Sequence, residues 1–203
     1  MTSENGSLLE LKNIKKHFVV GGGLFSGITG NKTWLKAVDG ISLNIQEGST
    51  YGLVGESGCG KSTTAKMVLM LEEPTDGEIR FQGEDALDMS RESRKNYKSS
   101  VQAVFQDPWA SLNPRMRVEG IIGEPLEINT TMTRGEIKTK VGDLLEEVGL
   151  QPYQSRLYPH EFSGGQRQRV GVARSLALTP KLIVLDEPVS ALDVSIRAQI
   201  MNL

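Results

Sequence analysis

GESGCGKS, residues 55–62, follows the short apolar run Thr50–Val54 and opens a helical pattern that runs from Lys61 to about Leu71. The spacing is G-x-x-x-x-G-K-[ST], a phosphate-cradling loop when it lies between a strand and a helix. Glycines at Gly55, Gly58 and Gly60 let the backbone N–H groups of Gly55, Glu56, Ser57, Gly58, Cys59 and Gly60 curl round an anion without side-chain clash. The helix that starts here points its positive end at the same anion. Lys61 adds a mobile cation for the β- and γ-phosphates. The Ser62 hydroxyl can take one position on Mg²⁺, which prefers oxygen ligands and phosphates together.

Working outward, the chain has 203 residues, 38% of them hydrophobic and 24% charged, a balance that supports a packed core. With 23 basic and 25 acidic residues the net charge is −2, which argues against a dedicated nucleic-acid binder. The local basic clusters at Lys12–Lys16 and Arg91–Lys98 read as solvated faces. A single cysteine, Cys59, excludes an intrachain disulfide and fits a reducing compartment. The N-terminal residues have no signal-peptide apolar core. The longest apolar run, Met67–Leu71, is far short of the ~20 residues that span a bilayer. If the protein works in transport, another chain must supply the channel.

Leu8–Ile14 and Leu35–Ile45 read as strands, with the glycine-rich stretch Gly21–Thr33 as a loop between them. Thr50–Val54 reads as a buried strand, and Glu78–Gln82, Val101–Phe105 and Leu182–Leu185 as further strands. From Asp107 to about His160 the texture is that of an inserted, mostly helical subdomain. Within it Thr133 to Glu136 form a capping box, and Ile137, Val141, Leu144, Leu145 and Val148 fall on one helical face. Another helix is expected from Ser163 to about Leu178. Strands that alternate with helices imply a parallel sheet, and ligands in such sheets sit beyond the carboxyl ends of the strands.

Two further motifs carry chemistry. LIVLDEP, residues 182–188, is a strand ending in two carboxylates. Asp186 is placed to hold Mg²⁺ directly or through water, and Glu187 to orient and deprotonate an attacking water. FSGGQRQR, residues 162–169, is a second glycine-paired polar motif at a helix start. Ser163 with the backbone N–H groups of Gly164 and Gly165 suits an anion, and Gln166 can add a hydrogen bond. One phosphate chain does not need two glycine-rich loops from the same chain.

The order GESGCGKST, VFQDP, FSGGQ, LIVLDEP and SALD resembles the ATPase subunit of ABC (ATP-binding cassette) transporters, from Leu8 to Leu203. FSGGQ departs from the more usual leucine-first version only at Phe162. The resemblance implies an α/β fold: a P-loop NTPase (RecA-like) core with an antiparallel β subdomain and an inserted α-helical subdomain, residues 107–160, in one cassette domain over 1–203. It implies ATP and Mg²⁺ as cofactors and head-to-tail pairing of two cassettes, so that the signature at 162–166 covers the γ-phosphate held by the partner's loop. Thr63 would then touch the α-phosphate. Gln106 would sense Mg²⁺ and the γ-phosphate, and Asp193 would communicate with the opposite site. Phe18 falls where the family places an adenine-stacking aromatic, with His17 as the alternative. QDPWASLNPRMRV and SALDVSIRAQI are similar to the ATPases of oligopeptide and dipeptide importers, a branch that includes nickel and glutathione systems. The partners so implied are transmembrane permease subunits, a second ATPase subunit and, indirectly, an extracytoplasmic substrate-binding protein. The implied place is the cytoplasmic face of the cell membrane. The rival class is a non-transport ABC protein that clamps other macromolecules. Family members continue past the position of Leu203 with a strand and a switch histidine, so the chain is expected to be incomplete at its C-terminus.

Overall fold

The computed structural model describes residues 7–20, 33–105 and 112–186. Contacts divide the chain between Tyr97 and Lys98 into two compact units.

In the first unit, β1 (Ser7–Val20) pairs antiparallel with β2 (Thr33–Gln46) along its whole length, and with β3 (Asp76–Phe81). The short β4 (Glu84–Asp85) completes a four-stranded antiparallel sheet in the order β2-β1-β3-β4. β1 runs further than its apolar alternation suggests, because each residue from His17 to Val20 has a cross-strand partner on β2. Leu9, Leu11, Ile14, Ile79 and Phe81 bury one side of this sheet. Gly77, at φ 96°, lies where a Cβ would fall 2.6 Å from the Asn13 carbonyl oxygen, so the entry to β3 tolerates no side chain.

Helix α1 (Lys61–Val68) buries Met67 and Val68 and ends well before Pro74. Its last carbonyl meets α2 (Arg91–Ser100), whose one buried residue is Tyr97. The Tyr97 ring stands edge-on to Phe81, centroids 5.0 Å apart, and its hydroxyl donates to the Val68 carbonyl at 2.5 Å. That bond satisfies a carbonyl which the helix end leaves without an internal donor. Burial pushes the Tyr97 phenol well above its ordinary pKa.

One strand expectation is corrected here. Residues 50–56 belong to no strand, and Val54 is 93% exposed. A buried parallel strand needs ladder neighbours, and this unit's sheet is antiparallel and closed by β2 and β4 at its edges.

In the second unit β5 (Val101–Val104) and β6 (Leu182–Leu185) pair in parallel, Val101 opposite Leu182 and Val104 opposite Leu185. Helices α3 (Val118–Asn129), α4 (Arg134–Glu147) and α5 (Gly164–Leu176) pack round one core. Ile122, Val141, Leu144, Leu145, Val170 and Ala173 lie in that core at 1% exposure or less. The expected α4 stripe is buried, and the expected capping box closes it. The Glu136 carboxylate accepts from Thr133 N and from Thr133 Oγ1, both at 2.7 Å. The stretches 21–32, 106–111 and 187–203 lie outside the described residues.

Two outcomes follow from these contacts. Replacing Tyr97 by Phe removes one hydroxyl and leaves the buried Val68 carbonyl without its donor. Urea unfolding should show a loss of about 1–3 kcal/mol with an unchanged m-value. The Thr133 backbone bond, then the Thr133 hydroxyl, hold the Glu136 carboxyl below its ordinary pKa. A depressed carboxyl stabilises the cap fully above its unfolded value and loses that contribution as pH falls through the folded one. The protection factor of the Thr133 amide, its exchange rate relative to a free chain at the same pH, should therefore hold at neutral pH and fall only below ~4.3, the ordinary glutamate value.

Candidate functional site

The first unit carries the phosphate loop. Gly60 is the N-cap of α1, at φ 97°, and no side chain caps this helix start. A Cβ on Gly60 would fall 2.3 Å from the Ala37 carbonyl oxygen and 3.1 Å from Val38 Cγ2. The loop is therefore pressed onto β2, and only glycine permits it. A helix start without a side-chain cap turns its positive end toward the loop, where an anion would be favoured.

Lys61 already occupies the loop. Its Nζ donates to the Gly55 carbonyl and to the Glu56 carbonyl, each at 2.8 Å, and lies 3.8 Å from Cys59 Sγ. The loop closes on itself through Cys59 N donating to Glu56 O at 3.3 Å. Thr64, three residues beyond Lys61, donates its hydroxyl back to Gly60 O at 3.0 Å and stiffens the junction. An arriving phosphate would take over an ammonium that now rests on two neutral carbonyls, replacing charge–dipole bonds by bonds between opposite charges.

Phe18 lies on the same unit's ribbon, directly opposite Leu35. Lys16 Nζ stands 5.0 Å over the Phe18 ring and is itself held by Glu72 at 3.0 Å and by the Glu73 carbonyl at 2.7 Å. His17, the alternative aromatic, is engaged elsewhere: its Nε2 is 3.2 Å from Asp39 Oδ1.

The second unit carries the other motifs. β5 and β6 end side by side, so Phe105, directly before Gln106, and Asp186 follow the carboxyl ends of adjacent parallel strands. The Asp186 N–H extends the ladder by donating to Val104 O at 3.0 Å. Such strand ends are where ligands of α/β sheets bind. Gln106, Glu187 and Asp193 lie outside the described residues.

The signature motif starts α5. Phe162 is 4% exposed and anchors the motif in the core. Ser163 is the N-cap and Gln166 the third helical residue of a reciprocal cap: Ser163 N donates to Gln166 Oε1 at 2.9 Å, and Gln166 N to Ser163 Oγ at 3.3 Å. Both acceptor oxygens are thus used inside the motif. The Ser163 hydroxyl hydrogen and the Gln166 NH₂ group remain to face outward as donors. A cavity of about 350 Å³ opens beside them, lined by Ser163, Gly165, Gln166 and Tyr153 among others. His160 stacks on Tyr158 with centroids 5.6 Å apart.

Sequence reasoning missed the seat of the phosphate loop on Ala37 and Val38. Nothing in the alternation of β2 signals that one strand supports the loop some twenty residues later; only the glycine at position 60 hints at a close approach.

The ABC transporter family model matches residues 38–190. The chain is 51% identical over 205 residues to the oligopeptide transport ATP-binding protein AppF of Bacillus subtilis (strain 168), covering 100% of this chain and 61% of that protein. It is 46% identical over 196 residues to the dipeptide transport ATP-binding protein DppF of Escherichia coli (strain K12), covering 97% of this chain and 58% of that one. The chain thus spans about three fifths of the length of these curated relatives. Among solved structures, it is similar to the dimeric ATP-binding cassette MJ0796 in a post-hydrolysis state bound to ADP and Pi. That match has a TM-score of 0.82 at 28% identity, over 96% of this chain and 80% of the other. The fold is accordingly the α/β P-loop NTPase fold of ATP-binding cassettes, and the chain belongs to the ABC transporter family.

Proposed function

We propose that this chain is the ATP-binding and ATP-hydrolysing subunit that powers an importer of peptides. The observation that carries the reading is the phosphate loop: an uncapped helix start, fixed on β2 by Gly60, with the Lys61 ammonium 2.8 Å from two loop carbonyls. The relatives named above support peptides as the cargo class. Other subunits select the cargo itself. Among the described residues no helix is long and apolar enough to cross a membrane, so the passage belongs to permease subunits to which this chain docks at the cytoplasmic face. A substrate-binding protein would act on those subunits from the other side.

In this reading Gly55–Ser62 cradle the α- to γ-phosphates, Thr63 touches the α-phosphate and Phe18 stacks on adenine. Ser62 on the first unit, and Asp186 and Gln106 on the second, each carry a hard oxygen donor of the kind that suits Mg²⁺. The bound ion neutralises charge on the β- and γ-phosphates. Glu187 takes a proton from the water that attacks the γ-phosphorus, the bond to the β-phosphate oxygen breaks, and ADP and phosphate leave. Catalysis is mainly positioning and charge stabilisation. Ser163, the N–H groups of Gly164 and Gly165, and the Gln166 amide close over the γ-phosphate of ATP held by a second cassette. ATP therefore joins two cassettes and hydrolysis separates them, with Asp193 linking the two sites.

In the intact protein, replacing Glu187 by Gln should slow phosphate release by roughly 10²–10⁴-fold. ATP affinity and ATP-dependent pairing should persist, as read by sedimentation with and without nucleotide. Turnover retained at the wild-type rate would remove Glu187 from the role of base.

A further inference from the structure

β1 and β2 pair with one irregularity that bears on the nucleotide. Lys16 stands opposite Val38, His17 opposite Lys36, Phe18 opposite Leu35 and Val19 opposite Trp34. Ala37 has no partner on β1: it is the extra residue of a β-bulge. In an unbroken strand the face of Val38 would continue through Lys36 to Trp34. The bulge shifts that alternation by one and turns Leu35 onto the Val38 face. Directly opposed residues of an antiparallel pair project to the same side, so Leu35 shares that side with Phe18 and Lys16. The contact of Lys16 Nζ with the Phe18 ring, 5.0 Å from its centroid, agrees with this.

The same face carries the phosphate loop. Val38 Cγ2 lies 3.1 Å, and the bulged Ala37 carbonyl oxygen 2.3 Å, from the place a Gly60 Cβ would take. From the Lys16–Val38 rung to the Phe18–Leu35 rung is two residues of β1, roughly 7 Å. A ribose and one phosphate cover about that span. Leu35 is 56% exposed, and Lys16 covers one side of the Phe18 ring. Trp34 and Val19, also exposed, stand on the opposite face.

We infer that Leu35 is the second half of the nucleobase platform: the bulge at Ala37 aims it beside Phe18, and the two hold the purine ring of the nucleotide whose phosphates lie in Gly55–Ser62. The inference rests on the nucleotide-binding reading above and adds to it a residue, a purine-class ligand for that residue and a reason for the bulge. Neither Leu35 nor Phe18 offers a side-chain donor or acceptor. The platform holds a base by stacking and apolar area alone, so it accepts adenine and guanine alike.

The test titrates the intact protein with ATP, with GTP and with inorganic tripolyphosphate, which has the phosphates but no base. Leu35→Ala should weaken ATP and GTP by the same factor, about five- to tenfold, and leave tripolyphosphate unchanged. Leu35→Met, which keeps the area, should stay within about twofold of the wild type. Trp34→Ala, on the opposite face, should have no effect on any of the three. The inference is overturned if Leu35→Ala binds ATP like the wild type, if it loses tripolyphosphate in equal measure, or if Trp34→Ala causes the larger loss. A wild-type protein that binds tripolyphosphate as tightly as ATP has no base platform. One that binds neither refutes the nucleotide reading itself, and the platform falls with it.

Discussion

The close approach of Gly60 to the Ala37 carbonyl is the contact on which the rest of the nucleotide site depends. With 2.3 Å between that oxygen and the place of a missing Cβ, the backbone of the phosphate loop rests directly on a strand. Three consequences meet there. The loop needs a left-handed residue at the same position that needs no side chain, and glycine satisfies both. The helix behind it begins without a side-chain cap. The strand that receives it carries a bulge at the receiving residue. A flexible loop would pay the entropy of ordering when nucleotide binds; this one is shaped beforehand by its seat and by the Lys61 bonds to Gly55 and Glu56.

The two helix starts that the motifs create are opposite solutions to one problem. Helix α1 starts without a side-chain cap, whereas α5 is closed by the exchange between Ser163 and Gln166. Closing α5 internally uses the two side-chain oxygens and the N–H groups of Ser163 and Gln166, and leaves the Ser163 hydroxyl hydrogen and the Gln166 NH₂ group as donors. A phosphate in α1's loop is enclosed by backbone and a cation. One at α5 meets a rigid row of neutral donors, suited to the exposed end of a nucleotide that another chain already holds. Under the proposed function this division accounts for one chain carrying both motifs.

Much of the architecture was legible in the residues. The capping box at Thr133 and Glu136, the apolar stripe from Ile137 to Val148, and the strands at 101–104 and 182–185 all follow from local pattern, because local bonds and one-sided burial decide them. The motifs were legible for the same reason, being short and contiguous. What failed was non-local. Thr50–Val54 is apolar enough for a buried strand, yet burial requires neighbours that no local pattern supplies, and Val54 stands 93% exposed. The bulge at Ala37 was equally silent, since Leu35–Ile45 reads as a strand of partial alternation and its register is set by β1. Leu35 then looks like a surface leucine in the sequence, and only the register puts it beside Phe18.

In the proposed function the signature of one cassette meets the γ-phosphate held by another. An ATP analogue with a photoreactive group on its γ-phosphate, activated on the intact assembly and mapped by mass spectrometry, tests it most directly. Label should appear on residues 162–169 only when two cassettes can meet, and should fade on dilution to single subunits. Label confined to the phosphate-loop segment at every concentration would contradict it.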